Sequence, residues 1–356
     1  MDSLTQITLG AAVGEATLGR KVGYKAPLWG AFFGTLPDLD VLANPFVSEV
    51  TALALHRGLS HSFIMAVVTA PILAWGISRI HPTASPPIGD ALTWRDWTPL
   101  VLLALVTHII LDSLTSYGTQ VFQPLSDYRL SMPSIFIIDP VYTVPLAAGL
   151  LIGFRWKHTA PQRRRSNYIG LAVSTLYLCV TLGIKAHVES VFSASLEAQG
   201  KPHTEVFTQT TPFNVILWNG MVQDEGGTWT GQYSLLDSDA QIGFQFTPKN
   251  RSLLDGHFDD PAVDVLEWFS KGYYTVSKSN GQIRFHDLRF GRTDLGLRND
   301  GRYLFTFYLK PGPDGQFVDF RQTRPAFSPD RELLHRFVDR IRGNVTDGMR
   351  GSVIRE

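Results

Sequence analysis

A histidine and an aspartate lie four residues apart inside an apolar stretch of the chain, at His108 and Asp112. On a helix the two side chains would share one face, because residues i and i+4 lie one turn apart. Placing an ionisable side chain in the interior of a membrane costs free energy unless the side chain is paired or hydrated. The pair therefore predicts either a proton-sharing contact that holds helices together or two ligands of a metal ion.

Two further clusters of the same residue types lie earlier in the chain. Asp38 and Asp40 end a short apolar segment, and neighbouring carboxylates are stable mainly when a cation or a shared proton neutralises them. His56 and His61 lie just before another apolar stretch, and Gly58 between them permits a tight turn. An exposed turn with an aspartate cap is an alternative for the first cluster, and an ordinary polar interfacial turn is one for the second.

Together the clusters offer more ligands than a single four-coordinate zinc needs. They predict two or more divalent ions, with zinc favoured and manganese or iron also suited to mixed imidazole and carboxylate ligands. Ions held in this way activate water and stabilise the oxygens of a phosphoryl or acyl centre. The candidate ligands from these clusters are Asp38, Asp40, His56, His61, His108 and Asp112.

The sequence predicts that the elements which position these residues are membrane helices. Residues 62–80, 97–117 and 168–187 are apolar and long enough to cross a bilayer, which takes about 20 residues as a helix. Residues 139–154 form a shorter apolar segment. The sequence therefore predicts that the ligand candidates lie between or at the ends of membrane-spanning helices.

Two weaker apolar segments, residues 4–18 and 26–36, precede these spans. Each contains two glycines at a spacing of four, which lets helix backbones pack closely in lipid. Glu15 is isolated in the first segment and is expected to pair with Arg20 or Lys21. The glycines are Gly10, Gly14, Gly30 and Gly34.

The charges divide the chain into two unlike parts. The first 190 residues carry 13 Lys and Arg and 11 Asp and Glu, whereas the shorter remainder carries 19 and 21. A net charge of +0 excludes an electrostatically driven nucleic-acid binder, and one cysteine excludes a disulfide scaffold or a cysteine-based zinc cluster. The fold-class prediction is a mainly α-helical multi-pass membrane domain, residues 1–189, followed by a soluble, β-rich α+β domain, residues 190–356.

One basic loop predicts the orientation in the membrane. Arg155, Lys157 and the arginines at 163–165 lie in a region, residues 140–188, that has no acidic residue. Such loops face the cytoplasm. The next span would then deliver the soluble domain to the outer side. The expected partners are membrane lipids, and no nucleic acid is expected.

The soluble part alternates between strand-like segments and turn formers. Ser328, as N-cap, and Pro329, as the first helical residue, are expected to open a helix that ends near residue 341. The predicted strands are residues 204–210, 214–218, 228–236, 242–247, 273–277, 283–288 and 303–309.

Several motifs around the ligand candidates resemble those of one family. They are residues 1–6 (MDSLTQ) with 9–11 (LGA), 34–40 (GTLPDLD), 56–62 (HRGLSHS), His108 with 112–119 (DSLTSYGT), and Asp139-Pro140. On these motifs, which are dense over residues 1–145, the chain resembles the LexA-regulated, inner-membrane-associated, metal-dependent hydrolase family. The resemblance implies a bacterial or archaeal membrane protein whose histidines and aspartates bind metal. Many members carry His at the position of Gln6, whose carbonyl oxygen could still bind a metal or orient a water.

Two more residues have candidate roles in catalysis. Arg57 lies between two ligand candidates and could hold a substrate anion through its planar fork, although an arginine that reaches lipid head groups is the alternative. Asp139 could accept a hydrogen bond from a ligand imidazole. It could equally be the N-cap of its own helix, with Pro140 as the first helical residue.

Three functions are compatible with these patterns. The first is a membrane-bound metal-dependent hydrolase that acts on an ester or phosphoester, with a lipid or lipid-linked substrate as the natural class. The second is a non-enzymatic metal-binding or scaffold protein. The third, an intramembrane metalloprotease, is disfavoured because His56 and His61 have the wrong spacing for a His-Glu-x-x-His motif and no glutamate lies between them.

Overall fold

The computed structural model describes residues 1–81, 92–201, 205–298 and 300–344. The chain forms two compact units, one made of Met1–Leu42 and Leu55–Leu182 and the other of Ala43–Ala54 and Gly183–Glu356. The segment Ala43–Ala54, which the sequence analysis assigns to the membrane domain, therefore clusters with the second unit.

The first half of the chain is helical. Helices α4, α5 and α7 are long and apolar enough to cross a membrane, and α6 is a shorter apolar helix. This confirms the three long apolar helices that the hydropathy pattern predicts. In chain order the helices are α1 Ser3–Val22, α2 Lys25–Thr35, α3 Glu49–Leu55, α4 Phe63–Ile80, α5 Trp94–Ser113, α6 Pro140–Gly153 and α7 Pro161–Ala198.

Glycines bring α1 and α2 into close contact. A Cβ atom added at Gly34 would lie 2.7 Å from the carbonyl oxygen of Gln6 and 2.9 Å from the Cα of Gly10. Distances this short leave no room for any larger residue, so the backbones of the two helices touch there. The small-residue spacing in the sequence thus corresponds to a real helix contact.

The apolar core of this unit lies between α4 and α5. Ala66, Ala70 and Ala74 of α4 pack against buried residues of α5 such as Leu100 and Leu105. Alanines on one helix leave space for the larger side chains of the other, which brings the helix axes together. This packing fixes the last turns of α5, where His108 and Asp112 lie.

Glu15 has a different partner from the expected ones. Its carboxylate accepts two hydrogen bonds of 2.7 Å from Arg163 on α7, so the expected pairing with Arg20 or Lys21 is wrong. Both side chains of the pair are buried, and the guanidinium of Arg163 lies 4.4 Å from the ring centroid of Tyr24. A buried carboxylate takes the partner that can enclose it, which a solvent-facing cation cannot do.

The second unit contains two four-stranded antiparallel sheets, with strand orders β1-β2-β3-β4 and β5-β6-β7-β8. Residues of α7, among them Phe192 and Leu196, pack on the first sheet. The strands are β1 Val206–Thr210, β2 Leu217–Asp224, β3 Gly227–Ser234, β4 Phe244–Pro248, β5 Tyr274–Ser279, β6 Gln282–Arg292, β7 Tyr303–Pro311 and β8 Phe317–Thr323. Two further helices are α8 Pro261–Ser270 and α9 Arg331–Ile341.

The β-rich character of this unit agrees with the sequence prediction, but some details differ. Strand β8 and helix α8 were not predicted, and the predicted strand start at Thr204 lies outside the described residues. The N-cap of α9 is Asp330, whose carboxylate accepts from the Leu333 amide at 2.7 Å, so the assignment to Ser328 is wrong. An ionised aspartate is a strong helix cap because its oxygen accepts from the free amides of the first turn.

Candidate metal centre

Four side chains from three separate parts of the chain bring one ligand atom each to a common point. The atoms of Asp38, His61, His108 and Asp112 all lie within 4.8 Å of one another. The Nε2 atom of His61 lies 3.2 Å from Nε2 of His108, 3.4 Å from Oδ1 of Asp38 and 3.5 Å from Oδ2 of Asp112. Nε2 of His108 lies 3.6 Å from each of the same two carboxylate oxygens.

Five of the six distances among these four atoms fit a tetrahedral metal ion. Zinc binds nitrogen and oxygen ligands at about 2.0–2.2 Å, so the ligands of a tetrahedron lie roughly 3.3–3.6 Å apart. The side chains of His61, His108 and Asp112 are fully buried, and that of Asp38 is 22% exposed. Within the described part of the chain, Oδ2 of Asp112 has no hydrogen-bond partner, although Nε of Arg57 lies 3.0 Å away in poor geometry. A buried carboxylate oxygen aimed at two imidazoles and a second carboxylate is suited to a cation.

The four ligands come from three elements of the helical unit, one α-helix and two 3-10 helices. His108 and Asp112 lie one turn apart near the end of α5. Asp38 lies on a 3-10 helix, Leu36–Phe46, that continues α2, and His61 ends the short 3-10 helix Leu59–His61 just before α4. Ser62 caps α4 by accepting from the Met65 amide at 3.0 Å, which fixes the backbone beside His61.

Hydrogen bonds orient the two imidazoles. Nδ1 of His108 donates to the carbonyl oxygen of Gly34 at 2.7 Å, so Nε2 is the ring nitrogen that faces the centre. Nδ1 of His61 lies 2.9 Å from Oγ of Ser60 and 3.6 Å from Oδ2 of Asp40. In both histidines the far nitrogen is held by the protein and the near nitrogen faces the other ligands.

The surroundings of Asp38 favour the ionised form of its carboxyl group. Burial disfavours its ionised form, but hydrogen bonds to His108 and His61 outweigh burial and hold the pKa of Asp38 well below its usual value. The same balance acts at Asp40, where contacts with His56 and the Arg57 amide lower the pKa against the effect of burial. Both carboxylates are therefore ionised at neutral pH.

Asp40 and His56 lie beside the group of four rather than in it. Oδ1 of Asp40 lies 3.0 Å from Nδ1 of His56, while Oδ2 accepts from the Arg57 amide at 2.9 Å and from Oγ of Ser60 at 3.3 Å. These contacts tie Asp40 to the turn that carries His61. The second ion that the sequence suggests remains a prediction, since the described residues bring only four ligands together within 4.8 Å.

Gln6 reaches the centre from α1 as a hydrogen-bond donor. Its Nε2 donates to Oδ1 of Asp112 at 2.9 Å and lies 3.4 Å from the carbonyl oxygen of His108. The Met1 amino group also contacts Oδ1 of Asp112, at 2.5 Å. The Oε1 atom of Gln6 is buried and has no partner among the described residues. Gln6 thus fixes one oxygen of Asp112 and leaves its own oxygen available.

The two candidate catalytic residues have different surroundings. Arg57 is buried beside the group of four, where Nη1 donates to Oγ1 of Thr115 at 3.1 Å and the guanidinium lies 5.0 Å from the ring centroid of Tyr117. Asp139 caps α6 instead, accepting from the Val141 and Tyr142 amides at 3.0 and 3.2 Å. Its other oxygen accepts from the hydroxyl of Tyr177 at 2.9 Å. Both of its oxygens are thus engaged away from the group of four.

The sequence analysis overlooked Arg129. This buried side chain donates to the carbonyl oxygens of His56, at 3.3 Å, and Gly118, at 3.1 Å. It lies on the ring of Tyr117, as Arg57 does, with 5.0 Å to the centroid. Arg129 is the sole Lys or Arg between Arg95 and Arg155, and this isolation in the sequence could have marked it as a candidate site residue.

Comparison with known proteins places the chain in a family. A family model described as "YdjM inner membrane protein" matches residues 1–188, more than half of the chain. The chain belongs to the YdjM inner membrane protein family. The YdjM match covers the whole group of four, helices α4 and α5, and α7 as far as residue 188, and together these support a membrane location.

One relative of this YdjM-family chain is similar over most of its length. The uncharacterized protein YfhP of Bacillus subtilis (strain 168) is 24% identical over 323 residues, which cover 88% of this chain and 92% of the relative. No solved structure matches the chain. These matches support the inner-membrane part of the family resemblance, whereas regulation by LexA and metal-dependent hydrolysis remain hypotheses.

Proposed function

We propose that this chain is a multi-pass inner-membrane hydrolase that uses a divalent metal to cleave a phosphoester or ester, with a lipid or lipid-linked substrate. One observation carries the proposal. Three buried ionisable side chains and the partly exposed Asp38 bring four ligand atoms together within 4.8 Å, and five of their six pairwise distances are 3.2–3.6 Å, as in a tetrahedral metal site. Mixed imidazole and carboxylate ligands favour zinc, with manganese or iron as alternatives.

The chain's own residues have separable tasks. Asp38, His61, His108 and Asp112 would hold the ion, which when bound would supply Lewis acidity and a lowered pKa for water. Gln6 holds Asp112 so that only Oδ2 faces the ligands. The partial exposure of Asp38 leaves one side of the group open to solvent and substrate.

Arg57 favours a phosphoester over a neutral ester. Its guanidinium is buried and lies 3.0 Å from a ligand oxygen, so a substrate that reaches the ion also reaches a fixed positive charge. A planar guanidinium matches two oxygens of a phosphoryl group. The Oε1 atom of Gln6 has no hydrogen-bond partner in the described residues, and Nε of Arg57 contacts Asp112 only in poor hydrogen-bond geometry, so both atoms could bind a substrate oxygen or a water.

A non-enzymatic metal protein is the second candidate. Its support is that four protein ligands complete a tetrahedron, as in structural zinc sites, whereas catalytic zinc sites usually keep one position for water. In that case the ion would fasten α5 to the two 3-10 helices. Substrate turnover separates the two functions, because both require the metal.

We also propose the orientation that the basic loop predicts. With residues 155–165 in the cytoplasm, α7 would carry the second unit to the outer side of the membrane. Accessibility of an engineered cysteine in β8 to a membrane-impermeant thiol reagent in intact cells, with Cys179 replaced by serine, tests this directly. Labelling only after the membrane is opened would contradict it.

The function is tested in two steps on detergent-purified full-length protein. Elemental analysis should find stoichiometric transition metal in the wild type and none in the His108→Ala variant. A screen of phosphomonoesters, phosphodiesters and carboxylic esters should then show turnover that both a chelator and Arg57→Gln reduce, the latter with metal content unchanged. Bound metal without turnover of any substrate would favour the structural role, and absence of metal would overturn both candidates.

A further inference from the structure

Three consecutive arginines at the start of α7 have unlike surroundings. Arg163 is turned inward and bound by Glu15, as described above. Arg164 and Arg165 are exposed, and neither has a carboxylate within ion-pair distance among the residues that the structure describes. The charge of Arg163 is thus neutralised by the protein, whereas the charges of the next two arginines are available to a ligand.

The two exposed arginines line one end of a surface groove. The groove is shallow and open, with a volume of about 440 Å³, and lies on one face of α7, where Pro161 and Tyr168 and then, one turn further along, Ile169 and Ala172 complete it. The guanidinium of Arg164 lies 5.1 Å from the ring centroid of Tyr168, and the hydroxyl of Tyr168 donates to the carbonyl oxygen of Ala16 at 3.3 Å. These contacts give the groove a fixed aromatic wall between a cationic end and an apolar end.

The groove lies where the apolar part of α7 begins. The helix is long and apolar enough to span a bilayer, and its arginines directly precede the apolar residues. Ile169 is 54% exposed, so the apolar end of the groove is open on the outside of the helix. From residue 140 to residue 188 the chain has no acidic residue that would compete for the arginines.

We propose that this groove binds an anionic phospholipid of the surrounding membrane. The lipid phosphate would lie against Arg164 and Arg165, and the first part of an acyl chain would run along Ile169 and Ala172. Cationic groups beside an apolar helix surface attract anionic head groups, at about 1 kcal/mol for each Lys or Arg. The proposal is independent of the metal centre and of its chemistry.

The test compares two charge-removing variants of the full-length protein in detergent. Binding of phosphatidylglycerol, measured by native mass spectrometry against phosphatidylcholine, should weaken about 25-fold in Arg164→Gln/Arg165→Gln, about fivefold for each arginine. The matched control, Arg155→Gln/Lys157→Gln, removes two exposed charges from the preceding loop and should change binding less than twofold. Equal losses in the two variants would mean diffuse attraction to a basic surface, which overturns the site.

A second variant tests the apolar end without changing any charge. Ala172 is exposed, so Ala172→Phe should fold normally and fill the groove, with phosphatidylglycerol binding reduced at least fivefold. Unchanged binding in this variant, or displacement of the lipid by millimolar inorganic phosphate, would show that a free anion rather than a lipid is recognised. Circular dichroism and metal content should match the wild type in every variant.

Discussion

Two groups of ionisable side chains in the helical unit differ in how their charges are compensated. The carboxylate of Glu15 and the guanidinium of Arg163 meet in a two-point contact of 2.7 Å, which satisfies both charges. In the group of Asp38, His61, His108 and Asp112, ligand atoms of the same electron-donating character face one another. In the first arrangement the two charges neutralise each other, whereas the second brings two carboxylates and two imidazole nitrogens together beside the cationic groups of Arg57 and Met1, an arrangement suited to a bound cation.

We therefore assign a structural role to the ion pair and a functional role to the group of four in the helical unit. A buried ion pair that is complete in itself connects α1 with α7, and its loss affects folding. Carboxylates and imidazoles that converge on one point are suited to binding a cation, and we interpret this group as a ligand-binding site. The following variants break one arrangement at a time.

The largest expected effect is complete loss of bound metal in His108→Ala. The imidazole contributes one of the four ligand atoms, and a tetrahedral site that loses one protein ligand binds its ion far more weakly. Elemental analysis of the purified variant measures this, with Arg163→Gln as a control that should keep its metal. Full metal content in His108→Ala would remove the central argument for the site.

The converse prediction concerns stability. Arg163→Gln leaves the buried carboxylate of Glu15 without its cation and should lower the free energy of unfolding by about 3–5 kcal/mol. Thermal unfolding in detergent measures the loss, and the exposed neighbour Arg164→Gln provides a control with little expected change. A stability equal to that of the wild type would show that the pair contributes nothing to folding.

An intermediate effect is expected for Asp40→Asn. This carboxylate does not face the ion position but holds the turn that carries His61, so its neutralisation should weaken metal affinity about 10- to 100-fold. Competition with a chelator of known affinity measures the change, and the exposed Asp127→Asn is the matched control. If Asp40→Asn abolished metal binding as His108→Ala does, Asp40 would have to be a ligand of the ion.

The smallest effect is expected for Asp139→Ala. Loss of the helix cap should lower stability by about 1 kcal/mol and leave metal content unchanged, because both carboxylate oxygens of Asp139 are occupied by α6 amides and by Tyr177. Thermal unfolding and elemental analysis together measure this outcome. A large fall in turnover with unchanged stability and metal would instead support the catalytic role that the sequence suggested.

Helical periodicity gave the most accurate prediction of the site from the sequence. The spacing of His108 and Asp112 predicts a shared helix face, and the structure has that geometry on α5. The same reasoning was weaker for Asp38 and Asp40, which the sequence analysis grouped as one cluster of neighbouring carboxylates. On a 3-10 helix, residues two apart point in different directions, so Asp38 meets His61 and His108 while Asp40 turns toward His56.

Long-range pairings could not be predicted from a single sequence. Arg163 lies 148 residues from Glu15, and nothing local distinguishes it from the two arginines that follow. The attachment of residues 43–54 to the second unit depends on similar distant contacts, such as the carboxylate of Glu49 that accepts from the Gln322 amide at 2.7 Å. The sequence shows which residues can form ion pairs and hydrogen bonds, but their partners are determined by the tertiary fold.

The glycine contact between α1 and α2 has a consequence for the imidazole of His108. The carbonyl oxygen that determines which ring nitrogen of His108 is protonated belongs to Gly34, and Gly34 touches the backbone of α1 beside Gln6. Even a single methyl group at this position would force the two helices apart, moving that acceptor and the amide of Gln6 together. The protonation pattern of an imidazole on a third helix therefore depends on how closely two other backbones approach.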